Sequence, residues 1–405
     1  MKFNKGQKLF LTANTIAGFG MTVSNIFFNL YVYRYTNSSI NMIIFFNIVK
    51  YLAAQSAFMT GSFIANKKNP MRVFNIGMLM FVSMLIFAIV MGSFGTMSSM
   101  LYVILVGLMW GAGEGFYWLS FNSLQQLLVD DNSRSKFFAT VNILSGSTRL
   151  LAPVISTFII SIFGLSGYPI IFMIITVNFI MACLLVMKIH ITHEEHISIN
   201  IFKKMRFKKY PSLKFNFWLC TLYSFGDGIN ISLISIIYIN AFNNDSIFYG
   251  KFAIVLALLM ILSNFISGKI VQKKQYKNIL FIFAALAIML SGSFLGIINS
   301  KESAIVYGVF YNLTSSFYFI PLVVMSFGII NNCSKNESDM YINITTREAA
   351  LNLGRILALF LTLILNNLFA NGLYLALVIT NFCFLLTSII YSKYGKRFIS
   401  NSFGS

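Results

Sequence analysis

The sequence predicts an all-α membrane protein with about twelve transmembrane helices in two pseudo-symmetric six-helix halves. The chain is 57% hydrophobic and only 10% charged, whereas soluble domains carry about a quarter charged residues. Runs of apolar residues recur along it, and a run of about 20 crosses about 30 Å of hydrocarbon. A segment that begins at Gly18 is also repeated in similar form from Ser224, about half the chain length later.

The apolar runs give the predicted helices in order. The first run continues without a small-residue cleavage site, so it is a retained span and not a signal peptide. The runs lie near 9–33, 41–65, 73–92, 99–122, 138–163, 169–187, 216–240, 248–270, 278–298, 303–330, 341–367 and 372–391. They predict an N-terminal six-helix half at 1–189, a cytoplasmic linker at 190–214 and a C-terminal six-helix half at 215–405.

The linker carries three histidines, and the four cysteines lie in or beside the spans. The spacing of His190, His193 and His196 is neither His-Glu-x-x-His nor a zinc-finger pattern. The cysteines form no pair or metal motif. We therefore expect no bound metal and no cofactor.

The basic residues that give the formal charge of +19 are distributed unevenly between the two sides of the membrane. Lys and Arg concentrate in alternate loops and both termini, while Arg34, Lys251 and Lys301 fall on the opposite side. This is the positive-inside pattern, which predicts cytoplasmic N- and C-termini and contact with anionic lipid headgroups, not nucleic acid. A composition rich in Ile, Asn, Lys and Phe favours a bacterial cell membrane.

The two halves match at several positions, always in the same order. Because six is an even number, they have the same orientation and are related by an axis along the membrane normal. The matches are SAFMTG ending at Gly61 with SNFISG ending at Gly268, Phe116-Tyr117-Trp118 with Phe317-Tyr318-Phe319, and the segments around Arg149 and Arg355.

With its GAGEGFYWLSFN stretch from Gly111 and its REAALNLGR stretch from Arg347, the chain resembles the major facilitator superfamily. It is similar in particular to poorly characterised permeases of low-GC Gram-positive bacteria. The resemblance implies a secondary transporter. The loop signature of that family, Gly-x-x-x-Asp-Arg-x-Gly-Arg-Arg, is incomplete here, since Ala65 stands at the Asp position after Gly61. An Asp-centred charge relay is therefore not expected in this loop.

Seven ionisable residues interrupt the apolar spans: Lys50, Glu114, Arg149, Asp227, Arg347, Glu348 and Arg355. A charge at the bilayer centre costs at least about 2.5–3.5 kcal/mol, so such residues usually face a cavity or a partner. Arg149 and Arg355 are pseudo-equivalent, and two guanidiniums at the cavity would suit a carboxylate or phosphate on the substrate. Alternatively each is neutralised locally, Arg149 by Glu114 and Arg355 by Glu348.

Asp227 is the first candidate for proton coupling. The second copy of the repeat has Phe225-Gly226-Asp227 where the first has Phe19-Gly20-Met21. A carboxylate that changes partners as the cavity opens and closes can load and release protons. Lys50 is a possible partner for Asp227, and Glu114 and Glu348 are alternative proton sites.

Aromatic and amide side chains complete the candidate cavity. Aromatic residues in these spans either line a cavity for an amphipathic substrate or pack helices together. The cavity candidates are Phe116, Tyr117, Trp118, Phe317, Tyr318, Asn142 and Asn352.

No nucleotide-binding loop, metal motif or nucleophile elbow is present, so no enzyme activity is expected. The sequence favours a monomeric secondary transporter that exchanges protons or another coupling ion for a small molecule by alternating access. Proton-coupled efflux of a small amphipathic molecule or peptide is preferred to an uptake symporter for a small solute, which can be anionic. A receptor or interaction protein without transport is the alternative of another class.

Overall fold

In the computed structural model, the structure describes residues 3–94, 98–128, 131–189, 207, 209–270 and 277–399. The chain divides into two compact units, Met1–Lys203 and Lys204–Ser405, here called the N-terminal and C-terminal units. The described residues contain helices and no strand, which confirms the all-α prediction. Most of the predicted linker, 190–206 and 208, lies outside the described residues, so its role stays a prediction.

The N-terminal unit contains seven α-helices and one π-helical segment among its described residues. The first predicted span lies in α1, the π-helical segment Ser24–Phe28 and α2. The helices are α1 (Lys5–Val23), α2 (Asn29–Tyr35), α3 (Ile40–Lys67), α4 (Pro70–Phe94), α5 (Ser99–Leu128), α6 (Asp131–Phe163) and α7 (Gly167–Val186).

The C-terminal unit repeats this order. Its first helix begins at Pro211, inside the last residues of the predicted linker. Proline is favoured there because the first N–H groups of a helix have no acceptor within the helix. The helices are α8 (Pro211–Ser232), α9 (Ile234–Ala241), α10 (Ser246–Ile270), α11 (Lys277–Ile298), α12 (Lys301–Cys333), α13 (Glu337–Leu368) and α14 (Gly372–Ile399).

Within the described ranges, ten helices are long and apolar enough to cross a membrane, and the pair α8–α9, bent by 44°, can count as an eleventh span. With the interrupted first helix, these elements correspond to the predicted six-plus-six arrangement. The protein is therefore a multi-pass membrane protein.

The repeat is also visible in the packing inside each unit. In the N-terminal unit α1 packs on α6 and α7, while α5 packs on α3 and α4. In the C-terminal unit α8 packs on α13 and α14, and α12 packs on α10 and α11 in the same way. The turns that follow α2 and α9 are also alike, with positive φ at Asn37 (53°) and Ser38 (60°) and at Asn243 (53°) and Asn244 (61°).

Candidate functional site

Asp227 lies in the C-terminal unit with no solvent-exposed surface. The Tyr223 hydroxyl, one turn earlier on α8, donates to its Oδ2 at 2.9 Å. The Tyr311 hydroxyl on α12 donates to its Oδ1 at 2.7 Å, and the positive charge of Arg355 on α13 also acts on it. Two hydroxyl donors suit an ionised carboxylate, which only accepts hydrogen bonds. Asp227 thus joins α8, α12 and α13.

Close packing of α8 on α13 brings Arg355 beside this carboxyl. A Cβ on Gly228 would lie 2.7 Å from the Cβ of Ala358, and one on Gly354 would lie 2.7 Å from the backbone nitrogen of Phe225. Neither contact leaves room for a side chain. The two helices therefore meet nearly backbone to backbone on both sides of Arg355.

The N-terminal unit has an apolar counterpart of this site. In the register of the repeat Met21 corresponds to Asp227. Trp110 and Tyr311 also correspond, since they stand seven residues before the matched Tyr117 and Tyr318. Met21 is buried, and the Trp110 ring stacks on Phe28 with centroids 4.9 Å apart. The buried carboxylate is a feature of the C-terminal unit alone among these matched positions.

Lys50 and Glu114 form an ion pair inside the N-terminal unit. Nζ of Lys50 lies 3.7 Å from Oε2 of Glu114, and their side chains are 4% and 14% exposed. The backbone of Lys50 touches Gly111 on α5, which holds α3 and α5 close together at this level. The sequence analysis offered Asp227 as an ion-pair partner for Lys50 and Glu114 as one for Arg149. The structure instead pairs Lys50 with Glu114. The side chain of Arg149 lies outside the described part of the structure.

Arg347 and Glu348 form a second pair, on α13. The NH1 group of Arg347 lies 2.5 Å from Oε1 of Glu348, and its Nε donates to Oγ of Ser326 on α12 at 3.0 Å. In the alternative to substrate recognition, Glu348 neutralises Arg355. Those two residues lie about 10 Å apart along the helix, so the adjacent Arg347 is the partner that the structure shows. For Arg355 the structure shows a hydrogen bond to Oδ1 of Asn352 at 3.2 Å.

The remaining candidates occupy both packed and open positions. The Tyr117 hydroxyl donates to Oδ1 of Asn14 at 2.8 Å, and the Tyr318 hydroxyl donates to the Phe384 carbonyl at 3.2 Å. These two tyrosines are buried and join helices within their units, whereas Trp118 is exposed. Phe116 and Phe317 are half-buried. The side chain of Asn142 lies outside the described residues.

The sequence did not predict the partners of Asp227. Tyr223 lies four residues before Asp227, so helical spacing alone could have indicated it. Tyr311 comes from another helix, and only the packing of α12 against α8 brings it near. The prediction that no metal is bound concerns residues outside the described ranges, because all three histidines lie in the range 190–206.

Comparison with known proteins decides the family. Residues 10–357 match the sequence model of the Major Facilitator Superfamily. The chain belongs to the Major Facilitator Superfamily. Members of this superfamily are transporters and not enzymes.

Similar proteins agree with this assignment. The uncharacterized protein YqgE of Bacillus subtilis (strain 168) is 24% identical over 366 residues, which cover 89% of this chain and 83% of YqgE. A bacterial homologue of the iron transporter ferroportin in the outward-facing state has a TM-score of 0.72 at 11% identity, covering 96% of this chain and 99% of its own. A D-xylose-proton symporter has a TM-score of 0.69 at 11% identity, with coverage of 96% and 97%. The two solved structures share the superfamily fold with this chain.

Proposed function

We propose that this superfamily member is a proton-coupled secondary transporter that works by alternating access, with Asp227 as its proton site. The observation that carries the proposal is the fully buried carboxyl that accepts from two tyrosine hydroxyls on different helices. In a membrane interior such a charge is costly, and it usually marks an ion or proton pathway. The corresponding Met21 has no ionisable group.

Protonation of Asp227 would change how α8 and α12 are joined. The ionised carboxylate accepts from both Tyr223 and Tyr311. The protonated form has an O–H of its own, which needs an acceptor, so one of the two tyrosine hydroxyls must turn or withdraw. A hydrogen bond to a charged group contributes about 1.5–3 kcal/mol. Proton binding can therefore bias the packing of α12 against α8 by a similar amount.

The preferred direction is efflux of a small amphipathic molecule or peptide. Half-buried aromatic rings of Tyr223 and Phe319, with centroids 5.3 Å apart, lie beside the Asp227 site and suit an apolar substrate group. The guanidinium of Arg355 favours a second candidate, uptake of a small anionic solute.

Orientation in the cell membrane follows the positive-inside pattern, with both termini in the cytoplasm. Fusions of alkaline phosphatase and of green fluorescent protein after residue 399 test this. The proposal expects fluorescence without phosphatase activity. Active phosphatase would show that the C-terminus lies outside the cytoplasm and would contradict the proposed orientation.

Transport itself is tested with a deletion strain that expresses the wild type, Asp227→Asn or Glu302→Gln, the last being a matched change at an exposed carboxyl. Profiles of drug sensitivity and retained metabolites identify a compound that only active protein exports. Everted vesicles with an acidic interior should accumulate that compound with wild type and Glu302→Gln and lose the pH-driven component with Asp227→Asn. Full pH-driven accumulation by a well-expressed Asp227→Asn protein would overturn the proposal.

A further inference from the structure

A cavity of about 350 Å³ lies in the N-terminal unit, between the start of α4 and the end of α7. Arg72 and Asn75 line it from the first turns of α4. Val186, Met187 and Ile189 line it from the end of α7 and the residues just after it. Cavities that bind small molecules begin at about 300 Å³, so this one has room for a phosphate-bearing group.

Basic side chains surround this cavity. Lys67 and Lys68 stand at the end of α3, a few residues before Arg72, and Lys188 stands between two of the lining residues. All four are exposed, and within the described ranges none of them forms an ion pair. The backbone N–H of Arg72 already donates to Oδ1 of Asn69 at 2.9 Å, so the guanidinium is the group that remains for a ligand. A basic pocket between helices at the cytoplasmic side suits an anionic headgroup.

Asn75 adds an unsatisfied polar group to the cavity. Its Oδ1 is buried and has no hydrogen-bond partner in the described part of the chain. A buried acceptor without a donor is costly. Rotation of the amide about its last bond exchanges the positions of the oxygen and the nitrogen, so Asn75 can turn Oδ1 toward the cavity to accept from a ligand hydroxyl. The cavity therefore offers a cation for a phosphate and an acceptor for a hydroxyl.

The second half of the chain does not repeat these two polar residues. In the register that matches Gly61 with Gly268, Arg72 corresponds to Ile279 and Asn75 to Ile282. The helix at this position can thus be built with apolar residues at both sites. Arg72 and Asn75 are therefore a special property of the N-terminal unit.

Exposed apolar side chains continue from the cavity along both helices. Leu79 follows Arg72 by seven residues, nearly on the same face of α4, and is 55% exposed. On α7, Leu184 is 55% exposed and Met187 is 63% exposed. The two helices pack against each other, and in a membrane such apolar surfaces lie against lipid chains. A ligand with a charged head and apolar chains fits this surface better than a soluble phosphate does.

We infer that this cavity binds the headgroup of an anionic phospholipid that carries free hydroxyls, the chemistry of phosphatidylglycerol. The phosphate binds the Arg72 guanidinium, with the three lysines nearby. A headgroup hydroxyl donates to Oδ1 of Asn75, and the acyl chains run along Leu79 and Leu184. The lipid then joins the start of α4 to the end of α7. The predicted orientation places this site in the cytoplasmic leaflet, and the inference does not depend on proton coupling at Asp227.

Native mass spectrometry of the purified full-length protein, titrated with phosphatidylglycerol or phosphatidylethanolamine, measures the dissociation constant of each lipid. The wild type should bind phosphatidylglycerol more tightly, since phosphatidylethanolamine has no net charge. Arg72→Gln should weaken phosphatidylglycerol binding by about tenfold, as expected for the loss of a hydrogen bond between charged groups. Asn75→Leu, a change of similar volume, should weaken it by about threefold through the lost acceptor. Lys214→Gln, at an exposed lysine on the same predicted side, is the matched control and should leave binding unchanged.

Equal losses in Arg72→Gln and Lys214→Gln would show that the general surface charge holds the lipid, and they would overturn the inference. Equal affinity of the wild type for the two lipids would do so too, as would unchanged phosphatidylglycerol binding in Asn75→Leu. Glycerol 1-phosphate that displaces phosphatidylglycerol at equal concentration would identify the ligand as a soluble phosphate instead. Melting temperatures of the variants without added lipid should match the wild type, because Arg72 is exposed and the lost carbonyl of Asn75 has no partner among the described residues.

Discussion

Replacing Lys50 by Met leaves the Glu114 carboxylate inside the N-terminal unit without its ion-pair partner. The two side chains are 4% and 14% exposed and 3.7 Å apart. Removal of one partner from a buried ion pair costs about 3–5 kcal/mol. Lys50 also lies 4.6 Å from the centre of the Tyr51 ring, a contact worth about 0.5–2 kcal/mol. Because Glu114 keeps some exposure, we expect a loss near the lower limit, about 3 kcal/mol.

The double variant Lys50→Met/Glu114→Met separates structure from function. Replacement of a whole buried pair by apolar residues of similar volume is often neutral or stabilising, so the double variant should regain stability to within about 1 kcal/mol of the wild type. Lys251→Met, at an exposed lysine, is the matched control. The free energy of unfolding is measured in mixed micelles with increasing SDS. If the double variant loses as much free energy of unfolding as the two single variants together, the reasoning that the two charges compensate each other would be refuted.

Further predictions concern helix packing. Gly111→Ala places a Cβ against the backbone carbonyl of Lys50 and should lower the melting temperature. Gly328→Ala, with open space around it, should raise stability by about 0.5–1 kcal/mol through helix propensity; equal effects of the two changes would contradict the close approach. Tyr117→Phe leaves Oδ1 of Asn14 without this donor and should cost about 0.6–1.7 kcal/mol, the range of hydrogen bonds in membrane proteins; thermal melting that matches the wild type would disprove that bond.

The sequence was sufficient for the fold because composition and apolar length determine which segments cross the membrane. The repeat predicted two halves with the same order of helices. It also singled out Asp227, because Met21 stands at the matched position. Ion-pair partners could not be predicted in the same way. Whether Glu114 meets Arg149 or Lys50 depends on which faces of α3, α5 and α6 turn toward each other, and a helical period alone does not determine that.

Tyr311 shows the same limit for the candidate site. Its residue type is ordinary in an apolar span, and it becomes part of the site only because α12 packs beside α8. Gly228 and Gly354 were visible in the sequence, but their contacts with α13 and α8 required the structure. A comparison of matched positions in the two halves would have been the best guide, since Trp110 replaces Tyr311 in the half that lacks the carboxylate.

The central claim is that Asp227 binds and releases the coupling proton. Infrared difference spectra between alkaline and acidic pH measure this directly on the purified protein in lipid. The claim predicts a protonated-carboxyl band that grows on acidification in the wild type, persists in Glu114→Gln and Glu348→Gln, and is absent in Asp227→Asn. A band of unchanged size in a folded Asp227→Asn protein would contradict the claim.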